Sequence, residues 1–288
     1  MSETVYSLST MDMPNITSIR NLSKDEFDEI SQSIRELEKF SQESALYNII
    51  ELNFQDLEDK LELYLNQYGI DSIIGFNQYT SKFLDLNRII LNMLSSIRTY
   101  LDHTETRLKK RFGVESDEYE FFKKLTSECY DKYFSYRFLS KLRNYSQHCG
   151  LPAGNISLKD DIYGRDIKIS FNRDSLLSDY DSWGLIVKPE LEAQNEEFDI
   201  IPLLNEKASL LKKINEKLNL KLIEKLNSTA LNLLKLIDET QQRGKGIPCL
   251  IKISGSKDNP LMNIRWFPFD TISQVTKVKI QVISKHRN

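Results

Sequence analysis

Apolar residues recur at helical spacing over most of this chain and give way to alternation in two places. Ser23-Lys24-Asp25-Glu26 has the form of a capping box, in which a hydroxyl and a carboxylate each take one free amide of a helix start. Phe27, Ile30, Ile34 and Leu37 follow in steps of three and four, predicting a helix over 24–40. Leu57, Leu61 and Leu65 mark a second amphipathic helix over 44–67, with an acidic outer face. The longest pattern, over 77–112, carries Phe83, Ile90, Leu94, Ile97, Leu101 and Leu108, crowds basic residues into its last turn and stops at Gly113. Asp117 and Glu120 open a further helix predicted to reach 148, where Gly150 and Pro152 end it. The short connector between these last two makes them an antiparallel hairpin.

Residues 155–190 change character. ISLKDDIYGRDIKIS reads as two strands about a Tyr-Gly turn, and Trp183 to Val187 reads as a third. Pro202 then starts a leucine- and lysine-rich helix that ends at Gly244, where about 40 residues span roughly 60 Å. Its stripe of Leu210, Leu211, Ile214, Leu218, Leu222, Ile223, Leu226, Leu233 and Ile237 is too wide for a strict heptad seam, so bundle packing is favoured over a coiled-coil scaffold. The tail segments IPCLIKIS, NIRWFPF and VTKVKIQVIS alternate like strands and would pair with those of 155–190. The expected fold is therefore mainly α. It divides into acidic N-terminal helices over 1–75, a long-helix antiparallel bundle over 76–243 with a small β insertion at about 155–190, and a short β-rich C-terminal segment over 244–288 packed on the bundle.

Composition sharpens this outline. A hydrophobic fraction of 40%, a charged fraction of 28%, and only ten Gly and seven Pro among 288 residues describe an ordered globular chain. The N-terminus lacks the basic head and apolar run of a secretory signal. No window approaches the roughly 20 apolar residues of a membrane span, so a cytoplasmic protein without membrane contact is expected. Cys129, Cys149 and Cys249 fit neither a disulfide framework nor a zinc pattern and read as buried free thiols. The net charge of −3 is uneven: 15 acidic and 5 basic residues over 1–75 give −10, which leaves +7 for the remainder. An anionic partner would meet that later part.

The chemistry-bearing stretch is RNYSQH, residues 143–148, at the end of the fourth predicted helix. With the helical hairpin before it, this stretch resembles the HEPN superfamily, all-α bundles whose signature is an Arg, four to six residues, and a His, often with a polar residue after the Arg. Here those positions are Arg143, Asn144 and His148, and the resemblance covers about residues 75–240. It implies a metal-independent, cofactor-free endoribonuclease of a toxin, defence or stress system, acting as a homodimer and held by an antitoxin or regulatory protein. In that chemistry a neutral imidazole takes the 2′-hydroxyl proton, an imidazolium protonates the leaving oxygen, and a guanidinium clamps the phosphate as charge builds. Arg143, Asn144 and His148 are the expected catalytic residues, and Arg137, Lys141 and Tyr145 the expected RNA contacts. The family also contains non-catalytic binding modules, which is the alternative reading.

The motif is loose. Three His, three allowed spacings and 13 Arg in 288 positions predict roughly 0.4 chance matches, and the chain has two, the other being Arg98 and His103 in RTYLDH. On a regular helix, five residues at 100° each set two side chains about 140° apart, so Arg143 and His148 converge only where the helix bends. Gly150 and Pro152 offer that bend near 148, and nothing comparable follows 103. With the hairpin turning near 115, the 143–148 turn would lie beside Lys82, Asp85, Asn87 and Arg88. The competing structural reading has Arg143 and His148 complementing the negative end of a helix dipole, with Tyr145 in the core. RLKKRF, 107–112, and Arg265-Trp266-Phe267 are secondary phosphate- or base-binding candidates that also suit a helix end and a strand.

Overall fold

A computed structural model describes residues 4–67, 75–161, 164–256 and 259–280. Its elements are β1 (Val5–Asp12), β2 (Asn15–Leu22), α1 (Lys24–Gln67), α2 (Phe76–Phe112), α3 (Asp117–Lys132), α4 (Phe134–His148), β3 (Asn155–Asp161), β4 (Gly164–Asn172), α5 (Arg173–Asp179), α6 (Gly184–Glu192), β5 (Glu197–Asp199), α7 (Ile201–Arg243), β6 (Ile247–Ser256), β7 (Asn259–Trp266) and α8 (Phe269–Thr276). The protein is mainly α. Two compact units form, one from Met1–Ser44 with Leu220–Asn288, the other from Ala45–Asn219.

The first unit is built on a four-stranded antiparallel sheet in the order β2-β1-β6-β7. Strands over 5–22 were not expected from the sequence. In β1 five consecutive residues, Ser7 to Met11, are buried, which is the mark of an inner strand rather than of simple alternation. The tail strand β6 pairs with β1, Leu8 opposite Leu250, and with β7, Ile251 opposite Ile264. That corrects the expectation that the tail would pair with the strands of 155–190, which instead form their own sheet, β3-β4-β5. The last predicted strand begins inside α8, where Thr271, Ile272 and Val275 are buried at helical spacing; residues 281–284 lie outside the described residues.

The capping box forms as predicted. The Glu26 amide donates to Ser23 Oγ at 3.1 Å and the Ser23 amide to Glu26 Oε2 at 2.8 Å. The helix it opens continues without a break to Gln67, because 41–44 contain neither Gly nor Pro and the buried positions Phe40, Tyr47, Ile50, Leu57 and Tyr64 stay in phase.

The second unit holds the motif. Its core centres on Phe138, fully buried, with ring centroids of Phe134, Trp183 and Phe198 at 5.2, 5.7 and 5.6 Å and Phe171 at 6.5 Å. These rings join α4 to β4, α6 and β5. Trp183 to Val187 is not a strand: Trp183, Val187 and Leu191 are buried at steps of four, while Leu185 and Ile186 point outward and disguise the period in the sequence. The hairpin of β3 and β4 was predicted, and its Tyr-Gly turn falls partly outside the described residues.

One predicted helix is two. Tyr133, at φ −119° and ψ 120°, separates α3 from α4, and the extended residue costs the Tyr130 carbonyl its helical partner. The Arg137 guanidinium takes that carbonyl and also forks onto the Glu190 carboxylate. Of the three free cysteines only Cys249 is buried, its thiol pushed up to about 11 by burial, whereas Cys129 is half-buried and Cys149 exposed.

Replacing Phe138 by Ala should lower the unfolding free energy by about 3–5 kcal/mol, since its ring contacts four other aromatics. Urea unfolding followed by tryptophan fluorescence measures it.

Candidate functional site

The motif occupies the last two turns of α4. The helix stays regular through His148, with the Cys149 amide donating to Tyr145 O at 2.8 Å, so the expected bend does not occur before the histidine. Arg143 and His148 therefore keep the roughly 140° separation of a straight helix. His148 is exposed; Arg143 and Asn144 are half-buried, and Arg143 Nη1 approaches Asn144 Oδ1 at 3.4 Å.

Two of the expected RNA contacts are built into the core instead. Arg137 is 5% exposed, and its donors are engaged by Glu190 and the Tyr130 carbonyl. The hydrogen bonds that it donates to Glu190 raise the guanidinium's proton affinity further, fixing it as a structural cation. Tyr145 is buried beside Trp183 and Tyr180, at centroid distances of 5.9 and 6.0 Å, and its ring fills the space above Gly150. A nucleobase cannot stack on a ring packed in this way. Lys141 remains half-buried, its amine close to Gly184.

What Arg143 faces differs from expectation. It lines a narrow cleft of about 30 Å³ with Leu94, Ile97, Arg98, Leu101, Leu139, Ser140 and Lys207. Arg98 lies ten residues farther along α2 than Arg88, the last of the expected neighbours. The expected neighbours bond elsewhere: Lys82 donates to Gln67 at 2.8 Å, Asp85 pairs with Lys60 and Arg88, and Asn87 accepts the Ala153 amide at 2.8 Å. The two arginines of the competing motif matches thus line one cleft, while His103 and His148 are both exposed.

Lys207 is the residue that the sequence reading missed. It is 1% exposed, and its amine donates to the Tyr136 carbonyl at 3.1 Å and to Ser140 Oγ at 3.4 Å, over the face of the Tyr136 ring. No carboxylate among the described residues is hydrogen-bonded to it, and burial holds its proton affinity well below the ordinary lysine range. Beside it the Arg143 Nε is buried without a hydrogen-bond partner among the described residues. A signal for Lys207 was present in the sequence. Leu204, Lys207, Leu211, Ile214 and Leu218 share the buried stripe of α7, so a lysine sits where every neighbour on the stripe is aliphatic.

The secondary candidates also have internal uses. In RLKKRF, Lys109 pairs with Glu105 at 2.6 Å and Arg107 donates to Thr104. Arg265 donates to Ser31 O at 3.2 Å, and Phe267 is buried. A larger open cavity of about 420 Å³ adjoins Tyr145, with Asn155, Asn172, Ser175 and Glu197 among its polar lining groups, and it has no cation in its wall.

No family model, curated protein or solved structure matches this chain.

Lys207→Met keeps the length of the side chain and removes a buried amine, while Ser140 Oγ continues to donate to the Tyr136 carbonyl at 2.7 Å. It should stabilise the fold by about 1–3 kcal/mol at pH 7. The folded-state pKa of Lys207 lies below its ordinary value of 10.5, so unfolding takes up a proton between the two. Wild-type stability then climbs with pH across that interval, and the advantage of Lys207→Met shrinks toward pH 10.5. Denaturant midpoints of both proteins from pH 6 to 10 measure this.

Proposed function

We propose that this protein is a HEPN-like, metal-independent endoribonuclease that acts as a homodimer in the cytoplasm, its long helices packed as an antiparallel bundle. The observation that carries the reading is the position of RNYSQH at the end of α4, where His148 is exposed to solvent and Arg143 opens into a cleft lined with cations. An exposed imidazole can reach a 2′-hydroxyl, and the cations of the cleft favour a phosphodiester there. Because a regular helix turns Arg143 and His148 apart, one chain does not close the site on its own. A second copy would supply the missing partner, each chain giving an arginine to one scissile phosphate and a histidine to the other. Asn144, next to Arg143, would hold the phosphate or the guanidinium, and Lys141 would add a backbone contact. An exposed catalytic histidine on a toxin-type enzyme suits control by an antitoxin or regulatory protein that covers it.

The 140° divergence also favours the second reading, a non-catalytic RNA-binding or protein-interaction module that uses the same cationic cleft. Both readings leave the membrane aside: none of the described helices is long and apolar enough to cross one.

The two readings separate in one assay. Purified protein is incubated with total cellular RNA in EDTA, wild type beside Arg143→Ala and His148→Ala, with folding followed by circular dichroism. Cleavage is expected from the wild type, with a drop of about 10²–10⁴-fold in His148→Ala and no loss of helical signal. RNA binding that weakens in Arg143→Ala with no product from any protein would establish the module instead.

A further inference from the structure

We propose that Arg98, Arg143 and Lys207 form a pocket for a single oxyanion group, a phosphate or the phosphate of a short RNA, seated between α2, α4 and α7. The pocket goes beyond the cleavage reading and stands without it, since binding an anion requires neither His148 nor a second copy.

Three observations converge on it. The cleft is lined by three cationic side chains and a hydroxyl, Ser140, and by no carboxylate. Among the described residues the acid paired with its cations is Asp102, which meets Arg98 Nε at 2.7 Å and leaves the other guanidinium nitrogens of Arg98 for a ligand. One buried donor beside it lacks an acceptor: Arg143 Nε has no hydrogen-bond partner among the described residues, while the Lys207 amine gives two hydrogen bonds and lies over the Tyr136 ring. A buried guanidinium N–H without an acceptor costs free energy in an empty pocket, and an anionic oxygen is the group that satisfies it best.

Size defines the ligand. One water-sized group needs roughly 10–15 Å³ of such space, so a cleft of about 30 Å³ admits no more than one or two oxygens of an anion. The remainder of the group stays at the mouth, where the Arg98 side chain is 59% exposed and Ser140 is open to solvent. A tetrahedral oxyanion fits this division, one oxygen inward and the others toward Arg98. A bulkier ligand can be held only by its terminal phosphate.

Isothermal titration calorimetry of the full chain tests the pocket with two probes, inorganic phosphate and a 5′-phosphorylated RNA trinucleotide, the latter compared with its unphosphorylated form. Wild type should bind inorganic phosphate or the 5′-phosphorylated trinucleotide, and should bind the trinucleotide without its terminal phosphate monoester about tenfold more weakly or not at all. Tighter binding of the phosphorylated RNA assigns the pocket to a nucleic-acid end; binding of inorganic phosphate alone assigns it to a free anion. Lys207→Met and Arg143→Gln should each weaken binding by about tenfold or more. Arg98→Gln, at an exposed position that leaves the core untouched, should weaken it as well and guards against misfolding of the buried variants. Absence of binding by either phosphate probe would overturn the proposal, as would an affinity left unchanged in all three folded variants. RNA cleavage that persists while phosphate binding fails would sink this pocket and leave the proposed activity standing.

Discussion

A single extended residue sets the register of everything around the candidate site. Tyr133 interrupts what would otherwise be one helix, and the carbonyl that it strands at Tyr130 is recovered by Arg137, whose guanidinium is held in turn by Glu190 of α6. A buried arginine with both a carbonyl and a carboxylate to satisfy fixes where α4 starts relative to α3 and α6. From that starting point Phe138 meets its aromatic neighbours and Arg143 arrives beside Arg98. The cationic cleft is thus a consequence of how one backbone hydrogen bond was replaced.

Much of the helical outline was legible because its signals are local. Ser23 and Glu26 cap α1, Gly113 stops α2 in a left-handed conformation at φ 99°, and Pro202 sits in the first turn of α7. What failed were non-local matters. The break at Tyr133 has no Gly or Pro to announce it, since its compensation comes from Glu190, more than fifty residues away. Strand β1 carries buried residues on both faces, so alternation is absent where it would have been diagnostic, and its partner β6 is remote in sequence. Leu185 and Ile186 are exposed apolar residues, and they concealed the helical period of α6.

The site was legible in its parts and not in its assembly. Arg143 and Arg98 each belong to a motif match, and the packing that brings them to one cleft cannot be read from either helix alone. Tyr145 and Arg137 were candidates for RNA contact by residue type, and burial assigns them to packing. Lys207 passed unnoticed among the many lysines of α7, although its phase on the apolar stripe distinguishes it. Apart from the adjacent pair Leu210 and Leu211, buried positions from Leu204 to Thr240 recur every three or four residues, and Lys207 falls on that series where Lys212, Lys213 and Lys217 do not.

The four-stranded sheet draws on both ends of the described chain. Strand β1 finds its second partner only in β6, some 240 residues later. A two-stranded hairpin alone is marginal in water, so during synthesis β1 and β2 must wait with an unpaired inner edge while the whole of residues 45–219 is delivered. The later unit in sequence is then the first able to complete itself. The N-terminal hairpin is for that interval an open template for strand pairing, a vulnerability of the nascent chain that closes when β6 emerges.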